Sequence, residues 1–311
     1  MPASSLLRFV NPEIGPVVSI TSTPYPDLLS RWIWQSTAQL HPDCGLSGAQ
    51  LKVFEACGGG WSKDKEQSQC KAVTEALERW AYRHYYHFFQ KTAALDIDPT
   101  SNGFAALPYS LGETEVIINA YCEALERWIL NRIWDHGDLE LYKIPAEENS
   151  IAKLFAGFKG KLHCLGMKLQ AYNFDQIPPL ETFFNLCVFE TETGGVIPGS
   201  ACGKDSQAAM ERALLETFIN VTAFDLMKKR NLTAFDDILE QRLYHFGNSN
   251  QGYPGVEKRI LRSDARPFSG TPKVIFSKRL AGLWEPEVLV HRVLVDGSMP
   301  VTEGGMERFV I

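Results

Sequence analysis

The sequence has no apolar run approaching the about 20 residues that a membrane-crossing helix needs. Its start, Met1 to Val10, lacks the long apolar core of a secretory signal. Basic clusters are missing too. The 31 Lys and Arg stand against 37 Asp and Glu without a Lys/Arg-rich run, and the net charge of −6 argues against a nucleic-acid-binding face. The 7 cysteines (Cys44, Cys57, Cys70, Cys122, Cys164, Cys187 and Cys202) are odd in number, widely scattered and never in a Cys-x-x-Cys pair. The 7 histidines show no ligand spacing with them, so no zinc site is supported, and the thiols read as reduced, mostly packing groups of a cytoplasmic protein. No glycine-rich stretch ends in Gly-Lys-Ser/Thr, which removes a Walker-type NTPase, and no nucleophile triad can be assembled. What is left is an ordinary globular composition, 45% hydrophobic and 22% charged, in 311 residues able to bury a substantial core.

Within that composition, Glu-Ala-Leu-Glu-Arg-Trp occurs twice, at Glu75–Trp80 and Glu123–Trp128. Chance would produce such an exact repeat at roughly a few in a thousand. Lys71-Ala-Val-Thr-Glu75, Asn119-Ala-Tyr-Cys-Glu123 and Arg212-Ala-Leu-Leu-Glu216 all read polar-Ala-x-x-Glu, which makes the last a fainter third copy. The first and third also share a lead-in, because Gly58, Lys63 and Asp64 fall in register with Gly199, Lys204 and Asp205.

Periodicity places these copies on helices. Ala72, Val73, Ala76, Leu77, Trp80 and Ala81 recur at i, i+3, i+4 spacing, which predicts a helix from Gln67 to about Phe89 with Ser62 or Asp64 as its N-cap. The second helix follows Gly112 and runs to about Trp134, and the third spans about Ser206–Arg230. Helical pattern continues from Ala223 to Leu239, interrupted at Asn231. Strands are expected at Val17–Thr21, ended by Pro24 and Pro26, at Leu29–Gln39, from Cys44 into a Gly58–Gly60 loop, and at Leu139–Ile144, Met167–Phe174 and Glu181–Glu190. Residues 99–108 and 246–272 read as loops, and Lys273–Phe276 and the run after Glu287 as closing strands. The prediction is a single α+β domain of repeated strand–loop–helix units.

Residues three apart share a helix face, so Glu75 with Glu78, and Glu123 with Glu126, each make a carboxylate pair, to which Glu216 adds a fifth acid. Gathered together, these charges repel unless a cation lies among them. Oxygen ligands without histidine or thiolate suit Mg²⁺, which commonly arrives with phosphate, and Lys71, Arg79, Arg127 and Arg212 could face its oxygens. Taken singly, Glu-x-x-Glu-Arg is ordinary helix-forming composition. The repetition turns the balance toward function. Gly58–Gly60 could let backbone N–H groups approach phosphate or could be a tight turn. The aromatic run from Trp80, with His84 and His87, reads as packing.

The blocks resemble those of the YcaO family, in which a Gly-rich turn precedes Ser-x-x-x-Glu-x-x-Glu-Arg, a second block often reads Asn-x-x-x-Glu-x-x-Glu-Arg, and a Gly…Ala-x-x-Arg-Ala-x-x-Glu helix follows. Here they are Gly58–Ser62 with Glu75, Glu78 and Arg79; Asn119 with Glu123, Glu126 and Arg127; and Gly199 through Ala209, Arg212, Ala213 and Glu216. Phe9–Ile20 is similar to the family's opening strand and Val290–Pro300 to its closing segment, so the likeness covers nearly the whole chain as one YcaO-like domain over residues 1–311.

The resemblance implies an α+β fold with three Glu-bearing helices around a nucleotide site. It also implies an enzyme that uses ATP and Mg²⁺ to modify backbone amides of a ribosomally made peptide, forming an azoline or a thioamide. Glu75, Glu78, Glu123, Glu126 and Glu216 would then be Mg²⁺ ligands, directly or through water. Ser62, Lys71, Arg79, Asn119, Arg127 and Arg212 would bind nucleotide or orient the carboxylates. The implied partners are a precursor peptide and, with no segment left over for it, a separate leader-peptide-binding or E1-like protein, in a homo- or hetero-oligomer without nucleic acid or membrane.

Departures from the pattern define a second class of function. Lys71 replaces the first-block serine, and Gly59 replaces the lysine of a Gly-Lys-Gly turn. Ile219, with Asn220 beside it, stands where a polar residue is expected, Asp296-Gly-Ser replaces Pro-Gly, and no Pro-x-Pro-x-Pro tail precedes Ile311. These changes point to a degenerate YcaO-fold scaffold that binds a peptide or partner without ATP turnover, whereas the five retained carboxylates point to the enzyme. An unrelated carboxylate-rich Mg²⁺ phosphotransferase would share the same site.

Overall fold

The computed structural model describes residues 3–26, 32–42, 57–88, 103–137, 139, 141–145, 151–174, 177–232, 234, 235, 237–250, 252–260, 272–300, 303–306, 308 and 309. After a 3-10 turn over Ala3–Phe9 come strands β1 (Val17–Pro26), β2 (Trp32–Leu40) and β3 (Cys57–Ser62), then helix α1 (Lys65–Phe88). Strand β4 (Gly103–Pro108) leads to α2 (Glu113–Asn131). Strands β5 (Tyr142–Ile144), β6 (Gly160–Phe174), β7 (Ile177–Thr191) and β8 (Val196–Gly203) follow. Next are helices α3 (Ser206–Lys229), α4 (Ile238–Gly247) and α5 (Gly252–Ile260), and the last elements are β9 (Val274–Leu280) and β10 (Val288–Val295). The class is α+β, as expected. The chain divides into two compact units, Met1–Tyr121 with Val274–Leu294, and Cys122–Lys273 with Val295–Ile311.

In the first unit, β1, β2 and β3 form an antiparallel sheet in that order, and β4, β10 and β9 a second. Pro24 does not end β1, which continues through Pro26. The two prolines pair with Trp34 and Trp32, and β1 is an edge strand, where a missing N–H is tolerated. The glycines expected as a loop at Gly58–Gly60 are the body of β3, because α1 lies directly upon them. A Cβ on Gly58 would sit 2.2 Å from Ala72 O and 2.3 Å from Ala76 N, and one on Gly60 would sit 2.0 Å from Ser68 O. Residues 103–108, also expected as loop, form β4. Its Phe104–Ala106 run is buried and its residues pair one by one with Val293 back to Val288, so tertiary pairing overrides a local Gly/Pro signal. The turn and strand expected between Cys44 and Cys57 lie mostly outside the described residues, as do residues 29–31 of the second expected strand. The core joins Ala72, Val73, Ala76 and Leu77 of α1 to Ala38 and Leu40 of β2 and Val288 and Val290 of β10. His84 packs as expected, edge-on to the buried Trp284 at 5.8 Å.

In the second unit, β5, β6, β7 and β8 form one antiparallel sheet covered by α3. Asp205 caps α3 by accepting from Ala208 N at 2.7 Å, and Asp237 caps α4 through Leu239 N, also at 2.7 Å. Residues 246–272, expected as loop, contain the end of α4 and all of α5. The start of α5 is tied down from afar, since Tyr253 N donates to Glu190 Oε1 at 3.0 Å and the Tyr253 ring stacks on His163 with centroids 3.6 Å apart. Two buried arginines hold the last described residues. Arg308 donates to Asp135 and to Pro300 O, and Arg242 donates to the carbonyls of Glu303, Gly304 and Gly305.

A carboxylate-bearing candidate active site

Helix α1 presents its predicted residues to the outer edge of β3. That strand pairs with β2 along one edge, and along its other edge its backbone groups meet side chains of α1. Lys71 Nζ donates to Trp61 O at 3.0 Å, Glu75 Oε2 accepts from Gly59 N at 2.8 Å, and Arg79 donates to Cys57 O. The match is metrical. Four helix residues advance about 6.0 Å and two strand residues about 6.8 Å, so positions i, i+4 and i+8 meet every second residue of an antiparallel strand. Arg79 also pairs with Glu75, which leaves that carboxylate held from two directions. Glu78 is half-buried one turn further on. Ser62 works at the helix start, where its Oγ accepts from Asp64 N at 3.2 Å and donates to Gln67 Oε1, while Asp64 Oδ1 accepts from Gln67 N at 2.7 Å.

Helix α2 carries the second block. Asn119, Glu123 and Glu126 recur at i, i+4 and i+7, and Glu123 pairs with Arg127 as Glu75 does with Arg79. Glu126 reaches the outer edge of β8. Its Oε1 accepts from Ser200 Oγ at 2.7 Å and its Oε2 from Cys202 N at 3.2 Å. Burial pushes the Glu126 carboxyl up, an effect opposed by Arg212 and the Ser200 hydroxyl and reinforced by Glu123. The same edge is met by α3, from which Arg212 Nη1 donates to Cys202 O at 3.3 Å and Asn220 Nδ2 to Pro198 O at 2.8 Å. Glu216 lies exposed on the same helix face, between Arg212 and Asn220 at i+4 spacing. A thiol–thiol hydrogen bond with Cys202 holds the Cys122 thiol down and drives Cys202 well up.

Among the described residues no three His, Cys, Asp or Glu side chains form a ready metal cage. The donor set nonetheless fits Mg²⁺, which dehydrates reluctantly, takes one or two carboxylates and fills its shell with water and phosphate oxygens. Glu126 supplies the physical reason, since a carboxyl whose ionisation is opposed by burial gains most from a cation. Motif reading singled out the charged residues of these faces. It missed the partners that orient them, namely Gly59 N, Ser200 and the backbone of Cys202. Their signal lay in the glycine lead-in, which marks strand edges rather than loops.

The family model for YcaO cyclodehydratases, ATP- and Mg²⁺-binding, matches residues 84–274. That span takes in α2, α3 and every predicted site residue from Asn119 to Glu216, and begins after Glu75, Glu78 and Arg79. No curated protein matches the sequence. Among solved structures, YcaO from Methanopyrus kandleri bound with AMPPCP and Mg²⁺ is similar at 16% identity with a TM-score of 0.56, over 97% of this chain and 92% of that one. A heterocyclase in complex with substrate and cofactor is similar at 12% identity and a TM-score of 0.61, over 98% of this chain but 54% of its own. The E. coli microcin synthetase McbBCD complex is similar at 10% identity and a TM-score of 0.54, over 89% of this chain and 86% of that one. Identities this low speak to the fold, which agrees across nearly the whole chain, while the family match spans more than half of it: the chain belongs to the YcaO family.

Proposed function

We propose that this chain, acting over residues 1–311 as one YcaO-like domain, uses ATP and Mg²⁺ to modify backbone amides in a ribosomally made peptide. The observation that supports this best is the family match over α2 and α3, within which Glu126 is cradled on the edge of β8 by Ser200 and Cys202. Glu75, Glu78, Glu123, Glu126 and Glu216 would be ligands to Mg²⁺, directly or through water. Mg²⁺ supplies charge neutralisation at the phosphates. Arg79 and Arg127 hold the first carboxylate of each repeated block in place, and with Lys71, Asn119, Arg212 and Ser62 they would bind nucleotide or orient the carboxylates.

In the proposed reaction a nucleophile adds to the amide carbonyl carbon, and the resulting oxyanion takes the γ-phosphoryl group with release of ADP. Loss of that oxygen as phosphate then leaves an azoline when the nucleophile is a neighbouring Cys, Ser or Thr, or a thioamide when it is sulfide. Substrate capture is assigned to a separate leader-peptide-binding or E1-like partner. Solved structures of similar fold include a heterocyclase with substrate and microcin synthetase with pro-MccB17 bound. The proposed setting is cytoplasmic, and among the described residues no helix is long and apolar enough to cross a membrane.

The second reading, a scaffold without turnover, draws on Lys71, whose ammonium is engaged by Trp61 O, and on Gly59, which brings no side chain to the β3 edge. Calorimetric titration with a non-hydrolysable ATP analogue and Mg²⁺ separates the two. Absence of binding by the folded protein with its partner present sinks the enzyme. Glu75→Gln or Glu123→Gln should abolish binding, and unchanged affinity in both refutes the site. Phosphate release on adding peptide and partner, with and without sulfide, distinguishes azoline from thioamide formation.

A further inference from the structure

The two helix-on-strand assemblies share several contacts. The residue offset that relates Gly58 to Gly199 carries the Lys71 and Arg79 anchors of α1 on β3 onto the Arg212 and Asn220 anchors of α3 on β8. A Cβ on Gly58 would strike Ala76 N at 2.3 Å, and one on Gly199 would strike Thr217 N at 2.2 Å. Asp64 accepts from Gln67 N at 2.7 Å, and Asp205 from Ala208 N at 2.7 Å. Lys71 donates to Trp61 O as Arg212 donates to Cys202 O. At the far end Arg79 donates to Cys57 O, and its counterpart is Asn220, which donates to Pro198 O at 2.8 Å. The carboxylates Glu75 and Glu216 lie midway between these anchors in their respective units.

We propose that Asn220 is a positioning residue, which holds the Glu216-bearing turn of α3 on the outer edge of β8 as Arg79 holds the Glu75-bearing turn of α1 on β3. The proposal rests on the reading of Glu216 as a Mg²⁺ ligand. The chemistry at the two anchors differs in one respect. Arg79 brings a positive charge to the i+4 position of Glu75 and pairs with it, whereas the amide of Asn220 makes the same backbone anchor without adding charge at the i+4 position of Glu216. Pro198 suits this edge position, because a residue with no N–H can still offer a carbonyl to the helix. Asn220 thus fixes where α3 presents Glu216.

The test uses the full chain and four proteins: wild type, Asn220→Ala, Asn220→Gln, which keeps the amide donor, and Asn220→Arg, which copies the other unit. Amide exchange is followed in α3 and β8, and Mg²⁺ is titrated at saturating AMPPCP. Asn220→Ala should exchange faster around residues 216–222 and lose about 10-fold in apparent Mg²⁺ affinity, in keeping with other residues that orient metal ligands. Asn220→Gln or Asn220→Arg should restore exchange protection and bring the affinity back to within about threefold. A residue with a merely structural role would lower the melting temperature and leave Mg²⁺ affinity at 20 °C unchanged. Unchanged exchange in Asn220→Ala overturns the anchor whatever the nucleotide does. Wild-type affinity in a folded Asn220→Ala protein overturns the positioning role. A wild-type protein that binds no Mg²⁺ and AMPPCP overturns the functional reading itself.

Discussion

Replacing Gly58 by alanine adds one methyl group at a crowded point between β3 and α1. The new Cβ would lie 2.2 Å from Ala72 O, 2.3 Å from Ala76 N and 3.0 Å from Ala76 Cα. All three are backbone atoms, so no side chain can swing aside, and the helix must retreat by about 1 Å to reach normal contact. Overpacking of this kind costs about 1–3 kcal/mol. The retreat also stretches the Lys71, Glu75 and Arg79 anchors on the β3 edge, each a hydrogen bond of about 1 kcal/mol net. A loss near the top of the range, about 3 kcal/mol, is therefore expected. Gly59→Ala is the internal control, one residue away with the same chemistry. Its Cβ would meet only Glu75 Oε2, at 3.6 Å, an ordinary contact. It should change stability by no more than about 1 kcal/mol, with part of that a gain from a less flexible unfolded chain. Urea unfolding followed by fluorescence reports on this unit through Trp61, Trp80 and Trp284. Equal losses in the two variants, or a neutral Gly58→Ala, would refute the account of β3 as a surface that only glycine lets α1 approach.

Three further outcomes follow from single sites. Buried His291 accepts or donates to Ser277 Oγ at 2.9 Å, and burial, then Arg279, lowers its pKa from 6.5 to about 4. It stays neutral in the fold while the unfolded chain takes up a proton near 6.5, so stability is full above that pH and falls toward pH 4 by up to about 3 kcal/mol. Urea midpoints of His291→Gln against wild type between pH 8 and 5 should show a flatter profile in the variant. Asp205→Ala removes the acceptor of Ala208 N at the start of α3 and should cost about 1 kcal/mol, measured by the same unfolding. Glu126 has a raised pKa, which means that its ionisation weakens the fold as pH rises through the folded value. Glu126→Gln should therefore hold or raise the ligand-free melting temperature at pH 8 while weakening Mg²⁺–nucleotide binding at least about 10-fold, and a fall in both would contradict the assignment.

The sequence by itself determined the three carboxylate-bearing helices. Apolar spacing at Ala72, Ala76 and Leu77 gives α1 its buried face without reference to any partner, and the same holds for Val116, Ala120 and Leu125 on α2, because helical periodicity is local. The repeated Glu-Ala-Leu-Glu-Arg-Trp likewise marked which carboxylates recur on α1 and α2. Tertiary structure decided what those faces meet. Gly58–Gly60 and residues 103–108 carry the local signals of turns, yet each is a strand because a helix backbone or a neighbouring strand occupies the space beside it. Tyr253 begins a helix in a Gly/Pro-rich stretch because Glu190 and His163, far away in sequence, hold it there. The alternating N–H and C=O groups along the edges of β3 and β8, on which Glu75, Arg79, Glu126 and Asn220 are held, exist only once the sheets have formed. A side chain declares its own chemistry in the sequence, but the backbone group that orients it becomes available only through the fold.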